Sequence, residues 1–373
     1  MKLKSMRQRS KQSGQQGLSL IELLVSMAIA LVIFAGVIEV MLDNKSKFLL
    51  SDQLSIIQEN ARFTVEEIGY DLRMAGYKGC SGSANVANAL NGSTGSGLYN
   101  GFGVEGWDSS EGSAAFPAEF RGGLWTFNDA NKTDPDAFTI KRAGGESNLS
   151  VTDHAAPSAV IDVAGSHGLG AGRIMVTATP DCSQVAIFQF TGNNPIQVGH
   201  NTGNSVSPGN CSGQLFGSYD CTAPPTNPPA SNGKLPNGSQ VMEFVANSFY
   251  IGQSSIDPTI PSLYKEEFND AAGGTFTTSA VELVVGVENM QVLYGVDTDA
   301  DGQANRYVTA NAITGVAPLL WSGVVSARVS LLFRSLNNVW GSDTTFSFEG
   351  EDYTDRFGRQ RVTTTIQLRN MGL

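Results

Sequence analysis

One apolar run near the start of the chain limits its fold more than any other feature. From Leu18 to Leu42 the only ionisable residues are Glu22 and Glu39. At a rise of about 1.5 Å per residue, an α-helix over this run is long enough to cross a hydrocarbon layer of about 30 Å. The segment before the run has no acidic residue. Its basic residues are Lys2, Lys4, Arg7, Arg9 and Lys11. A basic flank before an apolar span places the N-terminus in the cytoplasm, so we expect the rest of the chain to be exported.

Glu22 is the unusual residue of this run. A carboxylate at membrane depth costs on the order of 2.5–3.5 kcal/mol, so we expect Glu22 to have a partner. One interpretation is that the run is a signal anchor that tolerates an acid near the membrane interface. In that case the side chain of Glu22 snorkels to the interface. A cleaved signal peptide fits less well, because its small-residue cleavage site follows the apolar region whereas Gly17 precedes it.

The sequence Gly17-Leu-Ser-Leu-Ile-Glu22 resembles the class III leader of type IV prepilins and type II secretion pseudopilins. The resemblance implies that a prepilin peptidase removes residues 1–17 by cutting between Gly17 and Leu18, and that the new amine is methylated. Glu22 is then the fifth residue of the mature chain, where the family's acid pairs with a neighbour's N-terminal amine during assembly. Leu18 departs from the phenylalanine that is usual at the first position.

A second helical pattern follows the apolar run. Apolar residues recur at intervals of three and four, which is typical of an amphipathic helix with one buried face. They are Leu50, Leu54, Ile57, Ala61, Val65, Ile68, Leu72 and Ala75. Because no proline interrupts residues 18–75, we predict one long helix over residues 18–76, with residues 18–42 in the membrane and Gly76 at its end. Two helices joined near Asp43–Lys45 remain the alternative.

Residues 77–373 are predicted to form an exported β-rich head. Gly is frequent, at 42 residues, and charged residues make up only 16% of the chain, which favours loops and strands over helices. The predicted strands are 137–142, 173–179, 184–191, 241–251, 281–296, 325–333 and 362–368. Residues 192–239 are rich in Asn, Gly, Ser and Pro and predict a loop-rich surface insertion. An antiparallel sheet against the helix gives an α+β, pilin-like fold.

The charge and the cysteines bear on the partners and the compartment. The net charge is −11, and it becomes −16 when the five basic residues of the segment 1–17 are removed. Such a chain repels phosphate backbones, so we expect no nucleic-acid partner. Arg356, Arg359 and Arg361 form a local basic cluster that we interpret as a solvated strand edge. The four cysteines predict two disulfides in an oxidising compartment; the short interval between Cys211 and Cys221 favours that pair, which leaves Cys80 with Cys182.

Later segments narrow the resemblance to the PilW family of minor pilins. The similar segments are Asp71-Leu-Arg-Met-Ala-Gly-Tyr77 with Gly79-Cys80, Pro180-Asp-Cys-Ser-Gln-Val-Ala-Ile-Phe188, Gly286-Val-Glu-Asn-Met-Gln-Val-Leu-Tyr-Gly-Val-Asp297 and Thr365-Ile-Gln-Leu-Arg-Asn370. The resemblance implies an inner-membrane, single-pass protein whose head is periplasmic, and which enters a pilus at or near its tip. Its implied partners are the prepilin peptidase, other minor pilins and the major pilin.

The sequence Asp297-Thr-Asp-Ala-Asp-Gly302 has the opening of a calcium-binding loop. Asp297, Asp299 and Asp301 stand at alternate positions before a glycine turn, and Gln303 and Asn305 follow at positions seven and nine. Position twelve is Val308, so the bidentate Glu of an EF-hand is missing and any affinity falls in the weak range of about 10⁻⁴–10⁻³ M. An Asp- and Gly-rich hairpin turn is the alternative.

No sequence motif predicts catalysis. The chain has no G-x-S-x-G, H-E-x-x-H or Walker sequence, and His154, His167 and His200 show no telling spacing. We therefore predict a non-enzymatic minor pilin that primes or caps a type IV pilus together with other minor pilins. A type II secretion pseudopilin is the nearest alternative. A tip-exposed adhesin, with residues 192–239 as its contact surface, is a third.

Overall fold

The computed structural model describes residues 19–80, 84–91, 101–111, 116, 123–129, 131–192, 194–202, 206–216, 219–221, 233–272, 275–313, 315–317 and 319–371. The predicted leader 1–17 and its cleavage site, Gly17 and Leu18, lie outside these ranges. The chain divides into two compact units, Met1–Asp52 and Gln53–Leu373.

The helix α1 covers Leu20–Met74 and contributes to both units. In the first unit its apolar side chains are exposed, Leu20 by 77% and Val32 by 75%, and its length and composition are sufficient to cross a membrane. Gly76, two residues after the end of the helix, has a φ of 80°, a left-handed conformation that glycine adopts without strain.

In the second unit one face of α1 is buried. The buried apolar residues of this face are Ile57, Ala61, Ile68 and Leu72, followed after the helix by Ala75. They occupy the positions of the predicted amphipathic stripe. Each large side chain that is fully removed from water stabilises the fold by about 1.5–3 kcal/mol, so this face fixes the second half of α1 to the head.

The larger sheet is formed by the first eleven strands: β1 (Asn85–Asn88), β2 (Gly103–Trp107), β3 (Ala137–Ala155), β4 (Val160–Val163), β5 (Ile174–Ala178), β6 (Gln184–Gln189), β7 (Gln197–Gly199), β8 (Tyr219–Asp220), β9 (Gln240–Gln253), β10 (Pro261–Ala272) and β11 (Thr275–Val285). Among the described residues its main path runs β7-β4-β3-β9-β5-β6-β1-β8, with β2 beside β3 and with β10 and β11 continuing from β9. The strand β1 pairs in parallel with β6 and β8, and the other pairs are antiparallel.

The C-terminal sheet contains β12 (Val287–Val296), β13 (Arg306–Val308), β14 (Val324–Asn338) and β17 (Phe357–Gln367), in the order β13-β12-β14-β17. A hairpin of β15 (Thr344–Phe348) and β16 (Glu351–Asp355) lies between β14 and β17 in the sequence. All the ladders of the C-terminal sheet are antiparallel. This sheet and the helix confirm the predicted α+β class.

One apolar core joins the buried half of α1 to both sheets. The other members of this core include Phe138 and Phe249 of the larger sheet and Met290, Val329, Leu331 and Ile366 of the C-terminal sheet. Two further cores lie within the larger sheet, one around Phe188 and Phe190 and one around Val176 and Phe244. The head therefore folds around several contiguous clusters rather than one sheet face.

Two regions differ from their sequence predictions. The predicted strand 281–296 is two strands, because Gly286 has a φ of 87° and a Cβ there would lie 2.8 Å from the Arg334 carbonyl oxygen. The described part of residues 192–239 is not only surface: it contains β7 and β8, and it buries Val198, Leu215 and Leu235 in the core around Phe188.

Candidate functional site

The N-terminal turn of α1 places Glu22 beside the helix start. The backbone N–H of Ser19 donates to Glu22 Oε2 at 3.0 Å. Ser19-x-x-Glu22 is thus half of a capping box, in which the acid three residues into the helix accepts from the residue that caps it. The Ser-x-x-Glu pattern of a capping box is visible in the sequence itself. In the single chain, therefore, the Glu22 carboxylate stabilises the helix end, where its negative charge also meets the positive end of the helix dipole.

The second half of α1 is anchored by a buried charge cluster around Asp71, which is 1% exposed. Lys265 Nζ of β10 lies 3.2 Å from Asp71 Oδ2 and 2.8 Å from Glu67 Oε1. Arg142 of β3 lies 3.6 Å from Asp71 Oδ1, and the amide of Asn247 donates to Asp71 Oδ2 at 2.8 Å. Burial favours a neutral amine at Lys265, but Asp71 and Glu67 outweigh it and raise the pKa of Lys265.

The predicted calcium loop lies between β12 and β13. Carboxylate oxygens of Asp297, Asp299 and Asp301 lie within 4.8 Å of one another, the one such acidic or metal-ligating cluster in the described part of the chain. Asp297 accepts from the backbone N–H of Asp299 at 3.2 Å, Ala300 at 2.7 Å and Gly302 at 2.8 Å. The turn closes at Gly302, where φ is 83°.

The charge state of the loop follows from these bonds. Desolvation of Asp297 would raise its pKa, but the backbone N–H groups of Gly302 and Ala300 outweigh it and lower the pKa. The side-chain oxygen of Asn305 is already hydrogen-bonded within the loop. Its Oδ1 accepts from Thr298 N at 2.6 Å and from Thr298 Oγ1 at 3.0 Å. The backbone N–H of Gln303 donates to Asp301 Oδ1 at 2.8 Å. The three aspartates converge, whereas Asn305 closes the loop.

Both disulfides are present. Cys80 is bonded to Cys182, over a sequence separation of 102 residues, and Cys211 is bonded to Cys221, over 10 residues. Cys80 stands six residues after the end of α1, and Cys182 lies in the turn between β5 and β6. The first disulfide therefore ties the exit of the helix to the larger sheet.

The structure brings together two histidines that the sequence did not connect. His154 Nε2 lies 3.1 Å from His200 Nε2, and the backbone N–H of Leu235 donates to His154 Nδ1 at 2.9 Å. Since Nδ1 of His154 accepts, its proton is on Nε2 and is donated to His200. Burial, followed by the neighbouring His154, lowers the pKa of His200 to about 3, and burial also lowers that of His154. A neutral imidazole pair thus joins β3, β7 and the segment before β9.

Of the three arginines near the C-terminus, Arg356 and Arg361 are exposed, as predicted, whereas Arg359 is not. Arg359 is buried and binds Glu288 through Nε at 2.7 Å and Asp355 through Nη1 at 2.6 Å. Arg356 pairs with Asp343 at the surface, at 3.3 Å. The prediction was wrong for Arg359, because its charge is satisfied inside the protein by Glu288 of β12, two strands away in the sheet, and by Asp355 at the end of β16.

The long apolar helix, the two disulfides and the β-rich head are the features that the resemblance to pilins implies. Two family models match the chain: the prokaryotic N-terminal methylation motif at residues 12–38, and Type IV Pilus-assembly protein W, PilW, at residues 248–370. Together they support a PilW-family type IV minor pilin, a protein of pilus assembly, and confirm the resemblance. The PilW match begins in β9 and covers the whole C-terminal sheet.

The methylation motif also implies processing by a prepilin peptidase and a single-pass membrane anchor. No curated protein and no solved structure matches the chain significantly.

Proposed function

We propose that this protein primes or caps a type IV pilus in a complex with other minor pilins, and that it is not an enzyme. The observation that carries the proposal is the PilW match over residues 248–370 together with the methylation motif at residues 12–38. Before assembly, the basic segment 1–17 lies in the cytoplasm, the span 18–42 lies in the inner membrane and the head is periplasmic. After assembly, the protein is at or near the pilus tip.

Glu22 is the proposed assembly contact. In the monomer its carboxylate caps its own helix by accepting from Ser19 N at 3.0 Å. In the filament the carboxylate of Glu22 instead forms an ion pair with the methylated N-terminal amine of a neighbouring subunit. In a layer of low dielectric constant, an opposite charge within a few ångströms offsets much of the desolvation cost of the acid. The adjoining subunits are other minor pilins and the major pilin.

Intact-mass measurement after co-expression with a prepilin peptidase tests the processing step. The expected mature chain begins at methylated Leu18, and an unprocessed N-terminus contradicts the pilin assignment. In the native host, deletion of the gene should reduce the number of surface pili, and expression of the wild-type chain should restore it. A secretion defect with normal piliation would instead identify a type II secretion pseudopilin.

The loop of Asp297, Asp299 and Asp301 is proposed to bind Ca²⁺. Three carboxylates within 4.8 Å of one another support this proposal, and waters or backbone carbonyls complete the six to eight oxygens that calcium prefers. Asp297 uses its hydrogen bonds to hold the turn in shape, which leaves the exposed Asp299 and Asp301 to move toward an ion.

A further inference from the structure

A polar groove lies on the face of the C-terminal sheet that points away from α1. The groove encloses about 450 Å³, within the range of small-ligand sites. The residues of its lining that carry the argument are Gln291, Arg328, Ser330, Glu349, Arg361 and Thr363. We call this cavity the outer groove. None of its residues belongs to the helix, the disulfides or the aspartate loop.

The strand register explains why these side chains share one face. Ser330 of β14 is opposite Gln291 of β12 and Thr363 of β17, so one amide and two hydroxyls form a row across three strands. Side chains alternate along a strand, so Val329 and Leu331 point to the other face, into the core that α1 shares. Ser330 Oγ and Thr363 Oγ1 are 3.2 Å apart.

Two arginines flank this row. Arg328 precedes Ser330 by two residues and Arg361 precedes Thr363 by two on the antiparallel strand, so they lie on opposite sides of the row. Two residues of strand span about 7 Å, which puts the two backbone positions about 13 Å apart along the groove. Positive charge therefore stands at both ends of the row, and the same lining also contains two acidic residues, Asp136 and Glu349.

The two guanidinium groups are held differently. Arg328 lies with its Cζ 4.1 Å from the centre of the Tyr307 ring, and its Nε donates to Thr365 Oγ1 at 3.4 Å. These two contacts hold the guanidinium group of Arg328 at the groove, and a guanidinium group can bind a carboxylate in a bidentate manner. Within the described ranges, the side chain of Arg361 forms no hydrogen bond or ion pair, although Glu349 lines the same groove.

We infer that the outer groove binds a short acidic saccharide, whose carboxylates are held by Arg328 and Arg361. Guanidinium groups select carboxylates, whereas Glu349, Ser330 and Thr363 accept from hydroxyl groups of the same ligand. A peptide binds most readily at a strand edge, through main-chain hydrogen bonds. The outer groove instead offers side chains on a sheet face, which favours a ligand rich in hydroxyls. This inference is independent of the assembly role.

Calorimetric titration of the full-length chain in detergent micelles with trigalacturonate tests the inference. We expect the wild type to bind, and Arg361→Gln to weaken binding about tenfold or more, because a charge-assisted pair is lost. Arg369→Gln is the matched control, since Arg369 is an exposed arginine just beyond β17 and outside the outer groove. A second variant, Thr363→Val, should weaken binding while nearly conserving side-chain volume.

Two other probes separate the alternatives. Neutral maltotriose should not bind, and triglutamate should bind more weakly than trigalacturonate. The inference is overturned if wild type binds none of the three probes, if maltotriose binds equally well, or if triglutamate binds more tightly. It is also overturned if both Arg361→Gln and Thr363→Val bind like the wild type while their melting curves show intact folding.

Discussion

The ammonium group of Lys265 lies 3.2 Å from the carboxylate of Asp71, inside the head. This contact joins the second half of α1 to β10, and both side chains are largely buried, at 12% and 1% exposure. Removing one member of such a buried pair leaves an uncompensated charge, whereas a surface pair is screened by water. The distinction leads to the first prediction.

Asp71→Ala should reduce the stability of the head by about 3–5 kcal/mol, because Arg142 and Lys265 then lose their shared buried partner. Thermal unfolding followed by circular dichroism measures the loss. Asp343→Ala is the control, because it removes the exposed partner of Arg356 and should cost only about 0–1 kcal/mol. Equal effects of the two substitutions would contradict an anchoring role for Asp71.

Glu22 can be tested by separating its two functions. Glu22→Gln keeps an acceptor for the Ser19 N–H, since glutamine also suits the third position of a capping box, but removes the charge. If the carboxylate pairs with a neighbour's amine, Glu22→Gln should abolish incorporation into sheared pili, as measured by immunoblot. Glu39→Gln, which removes the other acid of the apolar run, is the control. Normal incorporation of Glu22→Gln into pili would contradict the ion pair and would leave helix capping as the role of this side chain.

The two disulfides should differ in their contribution to stability. Closing a loop of about 100 residues restricts the unfolded chain by about 4.7 kcal/mol, and a ten-residue loop by less than about 3 kcal/mol. Replacing Cys80 and Cys182 by serine should therefore lower the melting temperature more than replacing Cys211 and Cys221, since the sequence separations are 102 and 10. The reverse order would argue against the loop-closure explanation here.

Acid should destabilise the contact between His154 and His200. Because the folded pKa of His200 is about 3 and an unfolded histidine titrates near about 6.5, the unfolded chain binds more protons between these values. Stability therefore falls as the pH decreases through this window, by about 2 kcal/mol between pH 6.5 and 5 for His200.

Melting curves at about pH 7.5 and pH 5 check this, with His200→Phe as the comparison. Burial raises the pKa of Asp136 to about 7, which opposes the trend, because a protonated Asp136 favours the folded state as the pH falls. The relevant quantity is therefore the difference between the two chains. Acid should destabilise the wild type relative to His200→Phe, and identical pH dependence of the two chains would refute the role of the histidine pair.

Calcium should stabilise the head through the aspartate loop. With a dissociation constant of about 1 mM, about 10 mM Ca²⁺ contributes about 1.4 kcal/mol, which corresponds to a rise in melting temperature of about 2 °C for a head of this size. Asp299→Ala should abolish the rise. Asp129→Ala, which changes an exposed aspartate in another loop, should retain it. An unchanged melting temperature in the wild type would leave the loop as a simple turn.

Local patterns predicted the helix and, at least in part, β3, β5, β6, β9, β11, β12, β14 and β17, but they missed β1, β2, β4, β7, β8, β10, β13, β15 and β16. The stripe from Ile57 to Ala75 repeats at helical spacing, and the alternation around Val329 has the strand period, so both are visible in short windows. The break at Gly286 was missed because the apolar run continues through it. It arises from the close approach of the Arg334 backbone, which belongs to a distant part of the sequence.

The polar contacts were harder to foresee. The aspartate cluster was predictable because its ligands are two residues apart, and the Ser19–Glu22 pattern was equally local. His154 and His200 are 46 residues apart, and Asp71 and Asn247 are 176 apart. Such pairs are fixed by sheet register and by helix docking, which single-sequence patterns do not encode. The outer groove likewise depends on three strands meeting in register.

The bond between Cys80 and Cys182 has a mechanical consequence. If tension along α1 were to detach its buried face from the head, the load would reach residue 80 and divide there between the backbone and the disulfide. The covalent shortcut delivers much of the force directly to the turn between β5 and β6. Residues 81–181 are then shielded from stretching, so loops in this stretch can vary in sequence without weakening the tether between helix and head.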